Sequence, residues 1–155
     1  LFKQVLAERL RRGDWNTIIE GDLAMLDGTQ SIFPCEKPDS DIEDRASRLD
    51  IHPTGPMPGE KGTQPTGAAA DLERAVLNNW PQLTGVLQAQ RVQASRRALR
   101  LYPAGLEWRF DDNDLVLAFA LPPGTYATTV LREVLVFTDA ARGQGFKQDD
   151  NKVGR

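Results

Sequence analysis

The sequence predicts an α+β fold, and three features carry that prediction. The first residues are spaced as an amphipathic helix. Two short apolar runs flank Asp27-Gly28, a strong hairpin signal. Near the end, a continuous apolar run from Leu115 to Leu121 is cut by Pro122-Pro123-Gly124 and followed by a second helical pattern.

Taken in order, Phe2, Val5, Leu6 and Leu10 are spaced for a helix, and Gly13 suits its C-terminal cap. Ile18 and Ile19 are expected to begin a strand that Leu23 to Leu26 continue. Ser31-Ile32-Phe33 is the return strand, with Pro34 as its stop. Asp39-Ser40-Asp41 offers N-caps for a short helix through Leu49. Residues 52–66 are rich in proline and glycine and predict a loop. Leu72, Val76 and Leu77 mark a second longer helix ending near Trp80-Pro81. Leu83 to Leu101 reads as a further helix, with Gly85 a weak point. Leu106 to Phe110 predicts a strand, residues 111–114 a turn, and Leu115 to Leu121 the partner strand. Thr125 is placed to cap a final helix, 124–136, whose Val130, Leu131, Val134 and Leu135 share a face. The polar residues 137–155 predict disorder.

Composition narrows the class. At 155 residues there is room for one domain or slightly more. An apolar fraction of 40% and a charged fraction of 26% fit a soluble globular chain. No apolar run approaches the roughly 18 residues of a membrane span, so no membrane partner is expected. Cys35 is the only cysteine, which excludes a disulfide within the chain and fits a reducing compartment. One cysteine and one histidine argue against a zinc site. The net charge of −3 is unusual for an RNA-binding chain. A local basic patch nevertheless binds phosphates whatever the total charge. Arg91, Arg96, Arg97 and Arg100 form such a patch. If helical, the last three make a stripe, either touching phosphates or simply solvated.

Several strings then point to one family. They are Leu1-Phe-Lys-Gln-Val-Leu-Ala-Glu-Arg-Leu10, Gly21-Asp-Leu-Ala-Met-Leu26 with Ser31-Ile-Phe33, and Asp50-Ile-His-Pro-Thr-Gly-Pro56. Arg96-Arg-Ala-Leu99 with Leu101-Tyr-Pro103 and Leu106-Glu-Trp108 follows, and Leu121-Pro-Pro-Gly-Thr-Tyr-Ala-Thr-Thr-Val-Leu-Arg-Glu133 closes the series. In this order they resemble the TruD family of tRNA pseudouridine synthases over roughly residues 1 to 136.

That resemblance implies a fragment of a pseudouridine synthase catalytic sheet carrying an α+β insertion domain. Residues 1–101 would be part of the insertion domain. Residues 102–136 would be the last hairpin and helix of the catalytic domain, and residues 137–155 a disordered tail. It implies isomerisation of uridine 13 in the D-arm of tRNA, with no metal and no organic cofactor, by a monomeric cytoplasmic enzyme whose partner is tRNA. The family's aspartate nucleophile sits in a lysine–aspartate motif that these residues lack. No catalytic residue is therefore expected here, and the N-terminal part of the polypeptide would supply it. Tyr126 matches the family's aromatic position, which implies packing against the target base or the catalytic aspartate, with a core tyrosine as the other reading. Thr125 and Arg132 accompany it as substrate-binding candidates, Arg132 pairing with a phosphate, a carboxylate or its neighbour Glu133. Asp111, Asp112 and Asp114 read as solvated turn residues, His52 as a hydrogen-bonding residue of its loop, and Trp80 and Trp108 as core. The competing reading is a stand-alone, non-catalytic α+β RNA-binding module.

Overall fold

The computed structural model describes residues 1–57, 59, 62–80 and 93–136. The chain divides into two compact units, Leu1–Tyr102 and Pro103–Arg155.

In the first unit, helix α1 spans Phe2–Arg12 and ends on Gly13, whose backbone N–H reaches the carbonyls of Arg9 and Leu10. Strands β1 (Asp22–Leu26), β2 (Ile32–Cys35), β3 (Ile51–Met57) and β4 (Ser95–Ala98) form an antiparallel sheet in the order β2-β1-β3-β4. Helix α2 (Ser40–Ser47) follows β2, and α3 (Gly67–Asn78) follows β3. The carboxylate of Asp39 caps α2 by accepting from the Ile42 N–H at 3.0 Å. Two apolar clusters hold the unit together. One gathers Ile18, Ala24, Cys35, Ala46 and Ile51; the other gathers Val5, Leu72 and Val76.

Four expectations need correction. Ile18 and Ile19 precede the strand rather than begin it. The Asp22 N–H donates to the Ile19 carbonyl at 3.1 Å, and the Ile19 N–H donates to the Asp22 carboxylate at 2.9 Å. This tight turn needs Gly21 at φ 78°. A side chain there would collide with the Thr66 carbonyl, which a Cβ would approach to 1.9 Å. Pro34 does not stop β2. It pairs with Leu23 inside the strand, which tolerates it because β2 is a sheet edge.

Residues 51–57 are a strand, not a loop. β3 pairs with β1 through Ile51, His52 and Pro53, and with β4 through Thr54 to Met57. Pro53 turns its carbonyl toward the Leu99 N–H at 2.8 Å. Its nitrogen faces that same side, so the missing N–H takes nothing from the pairing with β1. Thr54 Oγ1 satisfies the Leu23 carbonyl in addition, at 2.5 Å. Finally, residues 95–98 are extended where a helix was expected. Pairing with β3 overrides the local helical pattern. Residues 93–94 and 99–101 are not helical either; residues 83–92 of that expected helix lie outside the described residues, as does the tail, 137–155.

In the second unit, β5 (Ala104–Asp111) and β6 (Asp114–Ala120) form a two-stranded antiparallel sheet joined at Asp112-Asn113. Helix α4 spans Ala127–Val134 and buries Val130. No helix among the described residues is long and apolar enough to cross a membrane.

Candidate functional site

The sequence-predicted residues fall in both units. Those at the strand–helix junction are in the second. β6 ends at Ala120, and Pro122-Pro123-Gly124-Thr125 turns the chain. Gly124 has φ 80°, and the Thr125 N–H returns to the Pro122 carbonyl at 3.3 Å. With proline second and a positive-φ glycine third, this is the pattern of a type II turn. The turn also claims the Thr125 hydroxyl, which donates to the Pro122 carbonyl at 2.6 Å. Thr125 therefore does not cap the helix. Tyr126 takes the N-cap position, with extended backbone and no side-chain cap bond.

Tyr126 is 70% exposed, so in this chain the ring is not a core residue. It stands at the helix start, beside first-turn N–H groups that no side chain caps. Arg132 lies in the last turn of α4, where a cation suits the helix dipole, and is exposed. Trp108 is exposed as well, and Trp80 partly so; neither is the core residue that its sequence context suggests. Asp111 and Asp114 pair across the hairpin end, and Asp112 occupies the turn at φ 52°. All three are exposed.

The arginines belong to the first unit, and they do not form a helical stripe. Arg96 sits on β4 and is buried, 8% exposed. Its Nη1 and Nη2 donate to the Glu73 carboxylate at 3.0 and 2.6 Å. Its Nε reaches Thr54 Oγ1, and Nη2 also reaches the Thr54 carbonyl, both at 3.0 Å. Such a bidentate, desolvated pair joins α3 to β3 and β4.

Arg100 is equally committed. Its guanidinium donates to the carbonyls of Asn16, Ala46 and Ile51, and its Nε donates to His52 Nδ1 at 2.9 Å. Burial pushes the Arg100 guanidinium below its usual range, while Asp27 pulls it back. Since Nδ1 accepts, the neutral His52 ring carries its proton on Nε2, which donates to Asp27 Oδ1 at 2.8 Å. His52 thus ties the hairpin turn to the sheet. Arg97 is half-exposed, its guanidinium carbon 5.6 Å from the centre of the Phe2 ring. Arg91 lies outside the described residues.

A second buried cation went unseen in the sequence. Arg9 lies one helical turn from Val5, on the buried side of α1. Its Nη1 donates to the Asp22 carboxylate at 3.0 and 3.2 Å, and Nη2 donates to the Asp14 and Thr17 carbonyls at 2.8 and 2.6 Å. Burial pushes the Asp22 carboxyl up; Arg9 and the Ile19 N–H act against it. The available signal was the spacing, because a cation four residues from a core valine needs a buried partner. The Ala-Glu-Arg-Leu and Gly-Asp-Leu strings are thus two halves of one contact. Among the described residues, no group of three or more His, Cys, Asp or Glu side chains is arranged to hold a metal ion.

Comparison with known proteins converges on one family. The family model for tRNA pseudouridine synthase D (TruD) matches residues 1–134. The chain is 43% identical over 145 residues to tRNA pseudouridine synthase D of Xanthomonas axonopodis pv. citri, covering 92% of this chain and 39% of that protein. It is 39% identical over 135 residues to the protein of the same name from Pseudoalteromonas atlantica, covering 87% of this chain and 39% of that protein. Among solved structures, the crystal structure assigned to tRNA pseudouridine synthase D (TruD) from Methanosarcina mazei aligns with a TM-score of 0.55 and 26% identity. That alignment covers 85% of this chain and 35% of that one. The chain therefore spans about two fifths of the length of the relatives it matches. With the match running through both units and through the strings that build the Arg9–Asp22 contact, β3 and the Tyr126 turn, the chain belongs to the tRNA pseudouridine synthase D (TruD) family.

Proposed function

We propose that the protein isomerises uridine 13, in the D-arm of tRNA, to pseudouridine. The observation that carries this reading is the family match along residues 1–134. The reaction conserves atoms. The glycosidic N1–C1′ bond breaks, the base rotates, a C5–C1′ bond forms, the C5 proton leaves and N1 gains one. The base must first leave its stack, at a cost of a few kcal/mol.

An aromatic wall offsets part of that cost, since stacking on a ring contributes roughly 1–3 kcal/mol. Tyr126 is proposed as that wall. Thr125 holds the turn that aims it, and Arg132 serves as an anion contact on the same helix. The aspartate nucleophile is proposed to come from the part of the family's length that this chain does not span. The same reading puts the work in the cytoplasm, on tRNA, by a monomeric enzyme without metal or organic cofactor.

The expected result for residues 1–155 alone is no tritium release from tRNA labelled at uridine C5. Turnover above background that survives simultaneous loss of Asp111, Asp112 and Asp114 would overturn this reading. A family-length polypeptide carrying these residues that binds tRNA yet releases no tritium would favour a non-catalytic RNA-binding module.

For phosphate contact, Arg97 and Arg91 are the proposed residues of the basic segment. Arg96 and Arg100 contribute by holding β3, β4 and the Asp27 turn in place. Arg97→Ala is expected to weaken tRNA binding across sequences. It should also flatten the logarithmic salt slope by about 0.7–0.9 per contact removed. An unchanged slope in a salt titration assigns Arg97 to packing against Phe2 instead.

A further inference from the structure

Distant segments of the first unit meet on one guanidinium. Arg100, just past the end of β4, donates through Nη1 to the Asn16 carbonyl and through Nη2 to the carbonyls of Ala46 and Ile51. The last two flank the turn that joins α2 to β3. In that turn Leu49 stands at φ 65°, a left-handed conformation that favours glycine. Two backbone bonds close it. The Leu49 N–H donates to the Ala46 carbonyl at 3.2 Å, and the Asp50 N–H to the Arg45 carbonyl at 3.0 Å. This is a Schellman closure with leucine in the place of glycine, so the turn is strained and needs support from outside it. Arg100 supplies that support by bridging Ala46 to Ile51 across the turn.

The bridge depends on His52. Its Nδ1 accepts from Arg100 Nε at 2.9 Å, and its Nε2 donates to Asp27 Oδ1 at 2.8 Å. A guanidinium offers only donors, so Nδ1 must be bare. That nitrogen can hold a proton or accept from Arg100, not both. Asp27 accepts from Nε2–H in either state, and more strongly from an imidazolium. The ring is 6% exposed, so little water screens a charge on it from the guanidinium. Among the described residues, the charged groups that face the ring are Asp27 from the β1–β2 turn and Arg100 from the segment after β4. On β1, uncharged Met25 lies opposite His52. At the end of α2, Arg45 and Asp50 are paired with each other at 2.6 Å.

We infer that Asp27, His52 and Arg100 form a proton-operated latch on the α2–β3 turn. With His52 neutral, Arg100 is held against the ring and staples the turn. A proton taken from solvent onto Nδ1 makes the ring an imidazolium, which keeps Asp27 and expels Arg100 Nε. The guanidinium then swings off the Ala46 and Ile51 carbonyls, and the turn at Leu49 opens. The latch is therefore closed when the ring is neutral and released by acid. It rests on contacts within the first unit and not on the proposed reaction.

The test is made by NMR on the 155-residue chain at about pH 7.5 and about pH 5, on either side of the value of about 6.5 at which a free imidazole takes up its proton. At the higher pH, a scalar coupling is expected across the bond from Arg100 Nε–H to His52 Nδ1. At the lower pH it should vanish while the His52 Nε2–H resonance persists. Protection of the Leu49 and Asp50 amides, corrected for intrinsic exchange, should fall on the order of 10-fold relative to the β1–β3 amides. His52→Gln keeps an acceptor for Arg100 and an N–H for Asp27 but does not titrate. It should hold the turn equally closed at both pH values, and Arg100→Met should leave it open at both. A coupling that survives at the lower pH overturns the inference. So does a coupling lost without loss of protection at Leu49 and Asp50, or a pH response that persists in His52→Gln. A loss shared equally by the β1–β3 amides overturns it too, being general acid unfolding. Where His52→Gln misfolds, Arg100→Met decides in its place, and a pH response that survives it overturns the latch.

Discussion

Alanine in place of Arg96 is expected to destabilise the first unit by about 3–5 kcal/mol, because it leaves a buried charge without its partner. Glu73 is 6% exposed, and both its carboxylate oxygens accept from Arg96. Thr54 loses the same donor at its hydroxyl and its carbonyl. Set against a whole-domain stability of about 5–15 kcal/mol, such a loss is large enough to shift the urea midpoint far to the left. Glu73→Gln keeps the shape and part of the hydrogen bonding, and should cost roughly 1–3 kcal/mol. The double change Arg96→Met with Glu73→Met removes both charges together and is expected to be less harmful than Arg96→Ala alone. A cost below about 0.5 kcal/mol for Arg96→Ala, the level of an ordinary surface substitution, would show that the network does not hold the unit together.

The second large effect is expected at Tyr126, in a family-length polypeptide carrying these residues. Tyr126→Ala should slow tritium release by about 5- to 150-fold, the range that corresponds to the loss of one base–aromatic stack. Affinity for tRNA should change little, because phosphate contacts dominate binding and the ring is proposed to act on one extruded base. Tyr126→Phe should be nearly silent, since stacking uses the ring. In the 155-residue chain the ring is 70% exposed, so the alanine variant should melt within about 0.5 kcal/mol of the parent. Turnover and melting are therefore measured side by side. If turnover survives Tyr126→Ala, the ring is not at the reacting base. If turnover and melting point fall together in the longer polypeptide, the ring packs there and its effect is structural.

The sequence alone determined the α+β class, helices α1, α2, α3 and α4, the β1–β2 and β5–β6 hairpins, and the family. Each of those signals is local. A helix is read from residues three or four apart, a hairpin from the turn between its strands, and the Tyr126 turn from Pro-Pro-Gly. What the tertiary structure alone decided depends on residues far apart in the chain. β3 is a strand despite Pro53 and Pro56 because it pairs with β1 through one half and β4 through the other.

Residues 95–98 are extended because that pairing was available, although their local pattern suits a helix. Arg96 became a buried clamp because Glu73, 23 residues earlier, and Thr54, 42 residues earlier, were brought beneath it. Arg100 was drawn to His52 across 48 residues in the same way. An arginine looks the same in sequence whether its guanidinium meets water, RNA or a buried carboxylate. Desolvation decides among them, and it is set by the elements folded over that residue.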